Sequence, residues 1–511
     1  MGKMITQQEV KLLEAKDFEH IFGHELDGFK HKPRHHQYAS ALWSWRRDRV
    51  LLLLGIGTGK TFASLLITHL WKRKKVLVVC PNSVRQTWKE ELEKHTNETY
   101  TELVGTKARR KKLLENKTRF YIVNYEGLKV LFGRKVKLVV RNTIRSRYVT
   151  DHDAIMDAGF DCLVIDEVHH CRNFMTVQTQ IAYNLSKVAG RCIALTGSPV
   201  GSSMTDFWSE FMVLDQGETF GPMETEFLHK YFNSYEISVN PRCTIVKWSV
   251  KKGCREKILE LVEKKTLRYD AKECFDMPKV TYERRYVQMT VEQLRIYFSI
   301  LNDLIVEFQE GKIKLNNVIN KTVKLRQVMS GFIIKNDVTP EGVEVSTPIR
   351  LKANPKLDEL EDLLGEIEGK VIIYHSFVEE GRMIEARLKK MGVKYASMRG
   401  EKTDRQGEYK KFKRPDVRVL VAHPVAGGEG LNLQESNVMI FFSQVGGGGI
   451  YRPQAEGRIV RAGQERPCII VDLLAKDSSS PDDETIDERM YTSTQGKKDF
   501  AKSLLDWLRD R

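Results

Sequence analysis

The sequence has no long hydrophobic run. Its longest strongly apolar stretch, residues 50–57, is far shorter than the roughly 18 to 20 residues that a membrane-spanning helix needs. The first ten residues, MGKMITQQEV, contain no apolar region of the kind found in signal peptides. We therefore expect neither a membrane protein nor a secreted one.

Cysteine is scarce and acidic residues are outnumbered. The eight cysteines are isolated and form no C-x-x-C pair, which is typical of reduced thiols in a cytosol-like compartment. Lys and Arg number 83 against 68 Asp and Glu, so the formal net charge is +15. Such a surface attracts polyanions, although a basic solvated surface without a polyanionic partner explains the charge equally well.

The apolar pattern predicts an α/β protein of more than one domain. Short, nearly unbroken apolar runs alternate with longer amphipathic stretches over residues 50–215 and again over 370–475, as in βα units on parallel sheets. Between them, segments such as 255–269 and 290–308 carry apolar residues at helical spacing. We predict a doubly wound lobe over residues 1–215, a mainly helical insertion with a linker over 216–355, and a second lobe with a helical tail over 356–511.

A glycine-rich segment after the first apolar run predicts a phosphate-binding loop. Gly55, Gly57 and Gly59 interleave with Ile56 and Thr58 before Lys60 and Thr61, and a helical stretch follows. Backbone amides of such a loop surround an anion, the lysine reaches the terminal phosphates, and the threonine hydroxyl can bind Mg²⁺. Leu54 stands where the full pattern has its first glycine, so only the shorter core is intact. A glycine-rich turn that binds nothing is the alternative.

Two adjacent carboxylates follow another apolar run. Asp166 and Glu167 come after CLVI, at the carboxyl end of a predicted strand, where open α/β sheets bind ligands. We expect Asp166 to hold Mg²⁺ through water and Glu167 to orient or deprotonate an attacking water. A solvated acidic turn is the alternative. A zinc site at His169, His170 and Cys171 is disfavoured because no distant ligand pair accompanies them.

Four motifs together carry a family resemblance. LGIGTGKT, DEVH, LTGSP and QAEGRIVRAGQ occur in this order, and with them the chain resembles superfamily-two helicases, above all the Swi/Snf-type double-stranded DNA translocases. The resemblance covers roughly residues 35–490 and extends to Pro81, Trp88 and Glu91, and to DEVHHCRN, where Arg172 replaces the usual lysine. It implies two RecA-like lobes that enclose ATP with Mg²⁺.

The resemblance also implies roles for individual residues. Gln37 matches the adenine-recognition position, and Arg458 and Arg461 match arginine fingers that stabilise charge on the γ-phosphate. A spacing of three would place both arginines on one face of a helix. Gln454 is expected to contact nucleotide or water. Thr196 and Ser198 match the motif that couples hydrolysis to nucleic-acid binding. The remaining positions that resemble DNA-tracking motifs are Pro81, Asn82, Ser83, Asn124, Tyr125, His375, Ser376, Arg399, Gly400, Gly427, Gly428 and Asn432.

A further basic segment lies outside these motifs. Residues 129–148 contain six lysines and arginines beyond Lys129 and no acid. This segment is either an additional DNA-facing loop or a solvated basic hairpin.

The implied function is an ATP-dependent, DNA-stimulated motor on duplex DNA, acting as a monomer in replication, recombination, repair or transcription. Two alternatives stay open: a strand-separating helicase on forks or RNA, and a nucleic-acid clamp whose ATPase is vestigial. We expect a cytoplasmic protein of a bacterium or a virus-infected cell, or a nuclear one in a eukaryote.

Overall fold

The computed structural model describes most of the chain as two compact units. The described residues are 5–140, 143–197, 203–240, 243–309, 315–338, 344–399, 404–424, 431–445, 451–477, 479–480 and 483–495. The first unit consists of Met1–Tyr235 and Trp248–Asp276, and the second of Glu236–Lys247 and Met277–Arg511. Within the described ranges, no helix has the length and the apolar character that crossing a membrane would require.

Helices and strands alternate along most of the chain. Up to residue 276 the elements are α1 (Gln7–Lys11), α2 (Ala15–Phe22), α3 (His35–Trp45), β1 (Arg49–Leu54), α4 (Lys60–Leu70), β2 (Val76–Cys80), α5 (Arg85–His95), β3 (Tyr100–Glu102), α6 (Lys107–Leu113), β4 (Phe120–Asn124), α7 (Tyr125–Phe132), β5 (Gly133–Val140), β6 (Thr143–Thr150), α8 (His152–Ala158), β7 (Cys162–Asp166), α9 (Val177–Ala189), β8 (Cys192–Thr196), α10 (Asp206–Asp215), α11 (Glu224–Tyr231), β9 (Phe232–Asn240), β10 (Cys243–Val250), α12 (Cys254–Glu263), β11 (Thr266–Tyr269) and α13 (Ala271–Cys274).

The same alternation continues beyond residue 276. The elements there are β12 (Val280–Gln288), α14 (Val291–Gln309), α15 (Leu315–Met329), β13 (Phe332–Val338), β14 (Glu344–Arg350), α16 (Pro355–Glu366), β15 (Lys370–Tyr374), α17 (Val378–Lys390), β16 (Tyr395–Met398), α18 (Arg405–Lys413), β17 (Val419–Ala422), β18 (Ser436–Phe441), α19 (Tyr451–Glu456), β19 (Cys468–Lys476) and α20 (Ile486–Gln495).

The first unit is built on a parallel sheet that is covered on both faces. Seven strands of the described chain form it, in the order β11-β1-β8-β7-β2-β4-β3, and all neighbours are parallel. In β2, Leu77 and Val79 pack into one core, whereas Val78 and Cys80 pack into another on the opposite face. Because neither face meets water, the strands need apolar residues at every position, which explains their unbroken apolar runs.

The second unit repeats this architecture with its own sheet. Six described strands follow the order β12-β19-β18-β15-β17-β16, again all parallel. In β15, Val371 and Ile373 pack on one face, and Ile372 and Tyr374 on the other. The expected fold class, two doubly wound parallel-sheet lobes, is therefore confirmed.

Residues 216–355, for which the sequence predicts a mainly helical insertion, are divided between the two units. The helical expectation for residues 255–269 is wrong at its end, because α12 stops at Glu263 and Thr266–Tyr269 forms β11 beside β1. Helix α12 and the short edge strand β11 therefore share one continuous apolar pattern, which periodicity alone does not divide into two elements.

Helices α14 and α15 pack in a core of the second unit that also contains Ala475 and Ile486.

Among the described residues, three two-stranded hairpins accompany the sheets, formed by β5 with β6, β9 with β10, and β13 with β14. The last of them occupies part of the Pro-, Gly- and Thr-rich stretch 338–355 that the sequence indicates as the end of the linker. The first is antiparallel and in register from Gly133 opposite Thr150 to Val140 opposite Thr143. It forms the basic segment of the sequence.

Candidate nucleotide-binding site

The predicted phosphate loop connects β1 to α4. Gly57 and Gly59 have φ values of 82° and 79°, a left-handed conformation that glycine adopts without steric cost. Gly59 precedes the first turn of α4, where unpaired backbone amides and the helix dipole favour an anion. The amino group of Lys60 donates to the carbonyl oxygen of Leu54 at 3.4 Å. The loop thus has the backbone that phosphate binding requires.

Two neighbouring side chains of α3 hold this loop from one side. The Gln37 amide donates to the carbonyl oxygen of Thr58 at 3.3 Å, and Nε2 of His36 donates to the same oxygen at 2.7 Å. Burial lowers the pKa of His36, while its hydrogen bond to Thr58 opposes that decrease. A methyl group on Gly59 would lie 2.5 Å from the Gln37 amide nitrogen. Gln37 therefore fixes the loop in this structure, and its contact with adenine stays a prediction.

No signal in the sequence marks His36 as a functional residue. It adjoins His35 in a run of polar residues, and no pattern distinguished the buried histidine from the exposed one.

The strand order brings three motifs to one edge of the first sheet. β1, β8 and β7 are adjacent, so the phosphate loop, the Thr196-Gly197 turn and the acidic pair all follow neighbouring strands. A methyl group on Gly197 would lie 2.9 Å from the amino nitrogen of Lys60, so the lysine side chain occupies the space that this glycine leaves open. The acidic pair lies at the carboxyl end of its strand, where the sequence predicts it, and parallel strands present their carboxyl ends at one edge.

Asp166 is buried and fixed by an aromatic side chain. It is 4% exposed, and the indole nitrogen of Trp88 on α5 donates to its Oδ2 at 2.8 Å. Burial, followed by the neighbouring charge of Glu167, raises the pKa of Asp166 to about 6, while Lys60 and the Trp88 hydrogen bond lower it. A divalent cation at this carboxylate would favour its ionised form and oppose that increase.

Glu167 adopts an unusual backbone conformation next to Asp166. Its φ is 54° and its ψ is 62°, a left-handed conformation that is costly for a residue with a side chain and is common at functional sites. The Tyr125 hydroxyl donates to the carbonyl oxygens of Asp166 at 2.8 Å and Glu167 at 3.2 Å. His169 Nδ1 lies 3.4 Å from Oε2 of Glu167. The acidic turn is therefore held through its backbone and its side chains.

The residues of this edge fit a nucleoside triphosphate with Mg²⁺. The space beside Gly197 admits the Lys60 amino group, and Thr61 lies in the first turn of α4. Thr61 and Asp166 offer a hydroxyl and a carboxylate, the oxygen ligands that Mg²⁺ prefers. By contrast, burial raises the pKa of the Cys171 thiol far above its ordinary value, which opposes the thiolate that zinc binding needs.

The predicted arginine fingers lie in the second unit, but not on a helix. Helix α19 ends at Glu456, and Arg458 and Arg461 occupy the turns that follow it. The expectation of one helix face is wrong because Arg458 N bonds the Ala455 carbonyl and Ile459 N the Glu456 carbonyl, a tighter pattern than an α-helix. Gln454, within α19, is 7% exposed. The roles predicted for Arg458, Arg461 and Gln454 stay predictions.

The nucleic-acid positions predicted in the first unit follow strand ends. Pro81, Asn82 and Ser83 come directly after β2, and Asn82 is exposed. Asn124 closes β4, and its side chain donates to Glu126 at 2.8 Å. Tyr125 and Thr196 are buried, and the Tyr125 hydroxyl is engaged with the acidic turn. Ser198 lies outside the described residues.

In the second unit the same predicted set is partly buried. His375 follows β15 and is 0% exposed; burial lowers its pKa to about 4. The Ser376 hydroxyl donates to the Gln444 carbonyl at 2.8 Å, and Arg399 pairs with Glu385 at 2.7 Å. Asn432 is exposed. The predicted positions Gly400, Gly427 and Gly428 lie outside the described residues.

One buried cation of the second unit had no sequence signal. Arg452 on α19 is 4% exposed and forms two hydrogen bonds with Asp472 of β19, at 2.6 and 2.7 Å. It also bonds Glu456 at 2.7 Å and lies over the Phe441 ring at 4.4 Å. This network fixes the helix that precedes Arg458.

Comparisons with known proteins match both units. The family model described as SNF2-related domain matches residues 36–331, and the Helicase conserved C-terminal domain matches residues 355–463. Protein p41 of Acyrthosiphon pisum secondary endosymbiont phage 1 is 26% identical over 94% of this chain and 98% of its own length. The chromodomain-helicase-DNA-binding protein 1-like of Danio rerio is 24% identical over 84% of this chain, and an ATP-dependent helicase of Mycoplasma genitalium is 26% identical over 84%. This chain spans only 39% and 37% of the length of those two relatives.

Proposed function

Because this chain belongs to the SNF2-related domain family, we propose that it is an ATP-driven motor that moves along double-stranded DNA. Its enzyme class is that of an ATP hydrolase, as in the ATP-dependent helicases related to it. The observation that carries the proposal is the meeting of Lys60, Gly197 and Asp166 at one edge of the first sheet. The name of the zebrafish relative, a DNA-binding helicase, supports DNA as the track.

The phosphate loop binds the triphosphate in this proposal. The amides at the start of α4 donate to phosphate oxygens, and Lys60 gives up its 3.4 Å bond to Leu54 for the terminal phosphates. His36 and Gln37 keep the Thr58 carbonyl turned away from the anion. The loop is therefore organised before ATP arrives, which lowers the entropic cost of binding.

The acidic pair has two different tasks in the hydrolysis step. Asp166, oriented by Trp88, is the carboxylate suited to hold Mg²⁺ together with the Thr61 hydroxyl. Bound Mg²⁺ would neutralise phosphate charge. Glu167 accepts a proton from the attacking water, and His169, 3.4 Å from its Oε2, steadies that carboxylate.

Arg458 and Arg461 complete the proposed catalytic set from the second unit. Each guanidinium stabilises the negative charge that develops on the γ-phosphate, an effect worth about 10³- to 10⁵-fold in rate. We expect Arg458→Ala and Arg461→Ala to abolish DNA-stimulated turnover. Arg466→Ala, at an exposed arginine of the same segment, is the matched control and should leave turnover unchanged.

The deciding experiment measures ATP turnover with no nucleic acid, single-stranded DNA, duplex DNA, forked DNA and RNA. We expect duplex DNA to give the largest stimulation. Lys60→Ala and Glu167→Gln should reduce turnover at least about 100-fold, whereas Lys187→Ala, at an exposed lysine of α9, should not. Equal turnover with and without every nucleic acid would contradict the motor.

Movement is tested separately from hydrolysis. A translocase on duplex DNA displaces a triplex-forming third strand, whereas a strand-separating helicase unwinds a forked duplex. We expect ATP-dependent triplex displacement that Lys60→Ala abolishes. Fork unwinding without triplex displacement would favour the strand-separating helicase instead. Biological activity that survives Lys60→Ala and Glu167→Gln would favour a clamp whose ATPase is vestigial.

A further inference from the structure

The β5–β6 hairpin carries positive charge on both of its faces. Residues opposite each other in an antiparallel pair share a face. Arg134 and Arg147 therefore lie on one face, since Arg147 is opposite Val136, and Lys135 and Lys137 lie on the other. All four are exposed, and residues 133–150 contain no acid. In the described part of the chain, none of the four forms an ion pair. The hairpin is thus a basic ribbon, with Asp151 at its base as an electrostatic partner of Arg134.

The base of this ribbon is firmly attached to the first unit. Asp151 N donates to the Phe132 carbonyl at 2.8 Å, and the Lys107 amino group donates to the Gly133 carbonyl at 2.8 Å and pairs with Asp151 at 3.3 Å. Lys129 of α7 lies over the Tyr148 ring at 4.4 Å. These contacts fix the direction in which the eight-residue strands, each about 27 Å long, leave the unit.

The ribbon adjoins the nucleotide site along the chain. β5 follows α7 directly, and α7 begins at Tyr125, whose hydroxyl bonds the carbonyl oxygens of Asp166 and Glu167. A ligand on the ribbon is therefore one short helix away from the acidic turn.

We propose that the β5–β6 ribbon is a duplex-DNA-binding arm that enters the major groove and contacts the phosphates on both sides of it. A two-stranded ribbon fits the major groove of undistorted B-form DNA, about 12 Å wide, whereas the minor groove, about 6 Å wide, admits a ribbon only where the DNA is deformed to widen it. Cations on both faces suit a groove, which has phosphates on two sides, whereas a flat polyanion would engage one face. The deep, narrow major groove of duplex RNA excludes such a ribbon. This inference rests on the proposed function, because it names a contact with the proposed DNA track.

The test measures binding of the full chain to a fluorescent 30-base-pair duplex over a series of salt concentrations, without nucleotide. The variant carries Arg134→Gln, Lys135→Gln, Lys137→Gln and Arg147→Gln. The control carries Lys187→Gln, Lys252→Gln, Lys389→Gln and Lys390→Gln, which remove the same charge from exposed positions elsewhere. A second variant replaces residues 135–148 with Asn-Gly, a sequence suited to a two-residue turn between the opposed residues Arg134 and Val149.

We expect both hairpin variants to bind at least about tenfold more weakly than the control. The slope of log K against log salt should fall by about 0.9 for each phosphate contact removed. ATP turnover without nucleic acid should remain at the control value, and so should the midpoint of thermal unfolding. The duplex concentration that gives half-maximal turnover should rise by the same factor as the dissociation constant.

Three results would overturn the arm. Affinity and salt slope equal to those of the control would show that the ribbon touches no phosphate, while the motor would stand. Duplex RNA that binds as tightly as DNA and loses the same affinity in the variants would overturn the groove assignment. A wild-type chain that shows no binding to duplex DNA at any salt concentration would contradict both the arm and the proposed DNA track.

Discussion

The indole nitrogen of Trp88 lies 2.8 Å from Oδ2 of Asp166, and both side chains are buried. Trp88 lies in α5, which follows β2, whereas Asp166 ends β7, the neighbour of β2 in the sheet. An aromatic residue thus orients the carboxylate that we assign to Mg²⁺.

Trp88→Phe should therefore affect chemistry as well as stability. A hydrogen bond to a charged group contributes about 1.5–3 kcal/mol, against about 0.5–1.5 kcal/mol for a neutral acceptor. The matched control is Trp71→Phe, where a buried indole donates to the neutral Ser44 carbonyl at 3.0 Å. We expect both variants to be destabilised, and only Trp88→Phe to need more Mg²⁺ for half-maximal ATP turnover. Equal Mg²⁺ requirements would contradict the orienting role of Trp88.

Gly59→Ala should weaken ATP binding through the contact with Gln37. The new methyl group would lie 2.5 Å from the Gln37 amide nitrogen, at a φ of 79°. Gly190 has a φ of 72° with nothing within 4 Å of the same position, so Gly190→Ala has the backbone strain without the clash. Strain alone costs about 1–2 kcal/mol.

We expect Gly190→Ala to lower only the free energy of unfolding, and Gly59→Ala to raise the dissociation constant for ATP as well. Equilibrium binding of a fluorescent ATP analogue measures the difference. Indistinguishable affinities in the two variants would show that the loop tolerates displacement of Gln37.

The fold was more predictable than the details of the site. Strands such as VLVVC can be recognised from the sequence, because a sheet covered on both faces needs unbroken apolar runs. Strand β11 escaped detection because its four residues continue the apolar pattern of α12 and its partner, β1, is about 215 positions away in the chain. An edge strand of this kind is specified by a distant partner and not by local sequence.

The limits in the site have a similar cause. Lys60 and Asp166 were identified from local motifs, because each motif follows its own strand. The partners of these motifs, His36 and Tyr125, act through hydrogen bonds to backbone carbonyls. Such bonds need a donor at the right place and no particular sequence pattern, so only the folded structure identifies them.

Glu210 of α10 should make stability depend on pH. Its Oε1 is buried without a hydrogen-bond partner. Burial, followed by Asp206 on the same helix, raises its pKa from 4.5 to about 8, while His169 and Arg172 oppose the increase, and the Cys171 thiol also faces it. The folded chain therefore holds a proton between about pH 4.5 and 8 that the unfolded chain has released.

The free energy of unfolding should consequently fall as the pH rises through that window, by up to about 1.4 kcal/mol per pH unit from this group. Glu210→Gln, which mimics the protonated carboxyl, should remove this part of the slope, whereas Glu224→Gln at an exposed position should not. Denaturant unfolding at several pH values gives the comparison. An unchanged slope in Glu210→Gln would mean that the carboxyl is solvated.

Lys356 and Asp487 form a buried ion pair that ties α16 to α20 in the second unit. The amino group lies 2.5 Å from Oδ2 of Asp487, which also accepts from Ala475 N at 3.2 Å, and the two side chains are 1% and 2% exposed. Breaking a buried pair from one side leaves the other charge without compensation and costs about 3–5 kcal/mol. Lys356→Met and Asp487→Leu should each destabilise the second unit by that amount, and the double variant by less than the sum of the two. Denaturant unfolding of the four chains yields the coupling, and strictly additive costs would mean that each charge is compensated by other groups, such as the Phe442 carbonyl that Lys356 reaches at 3.3 Å.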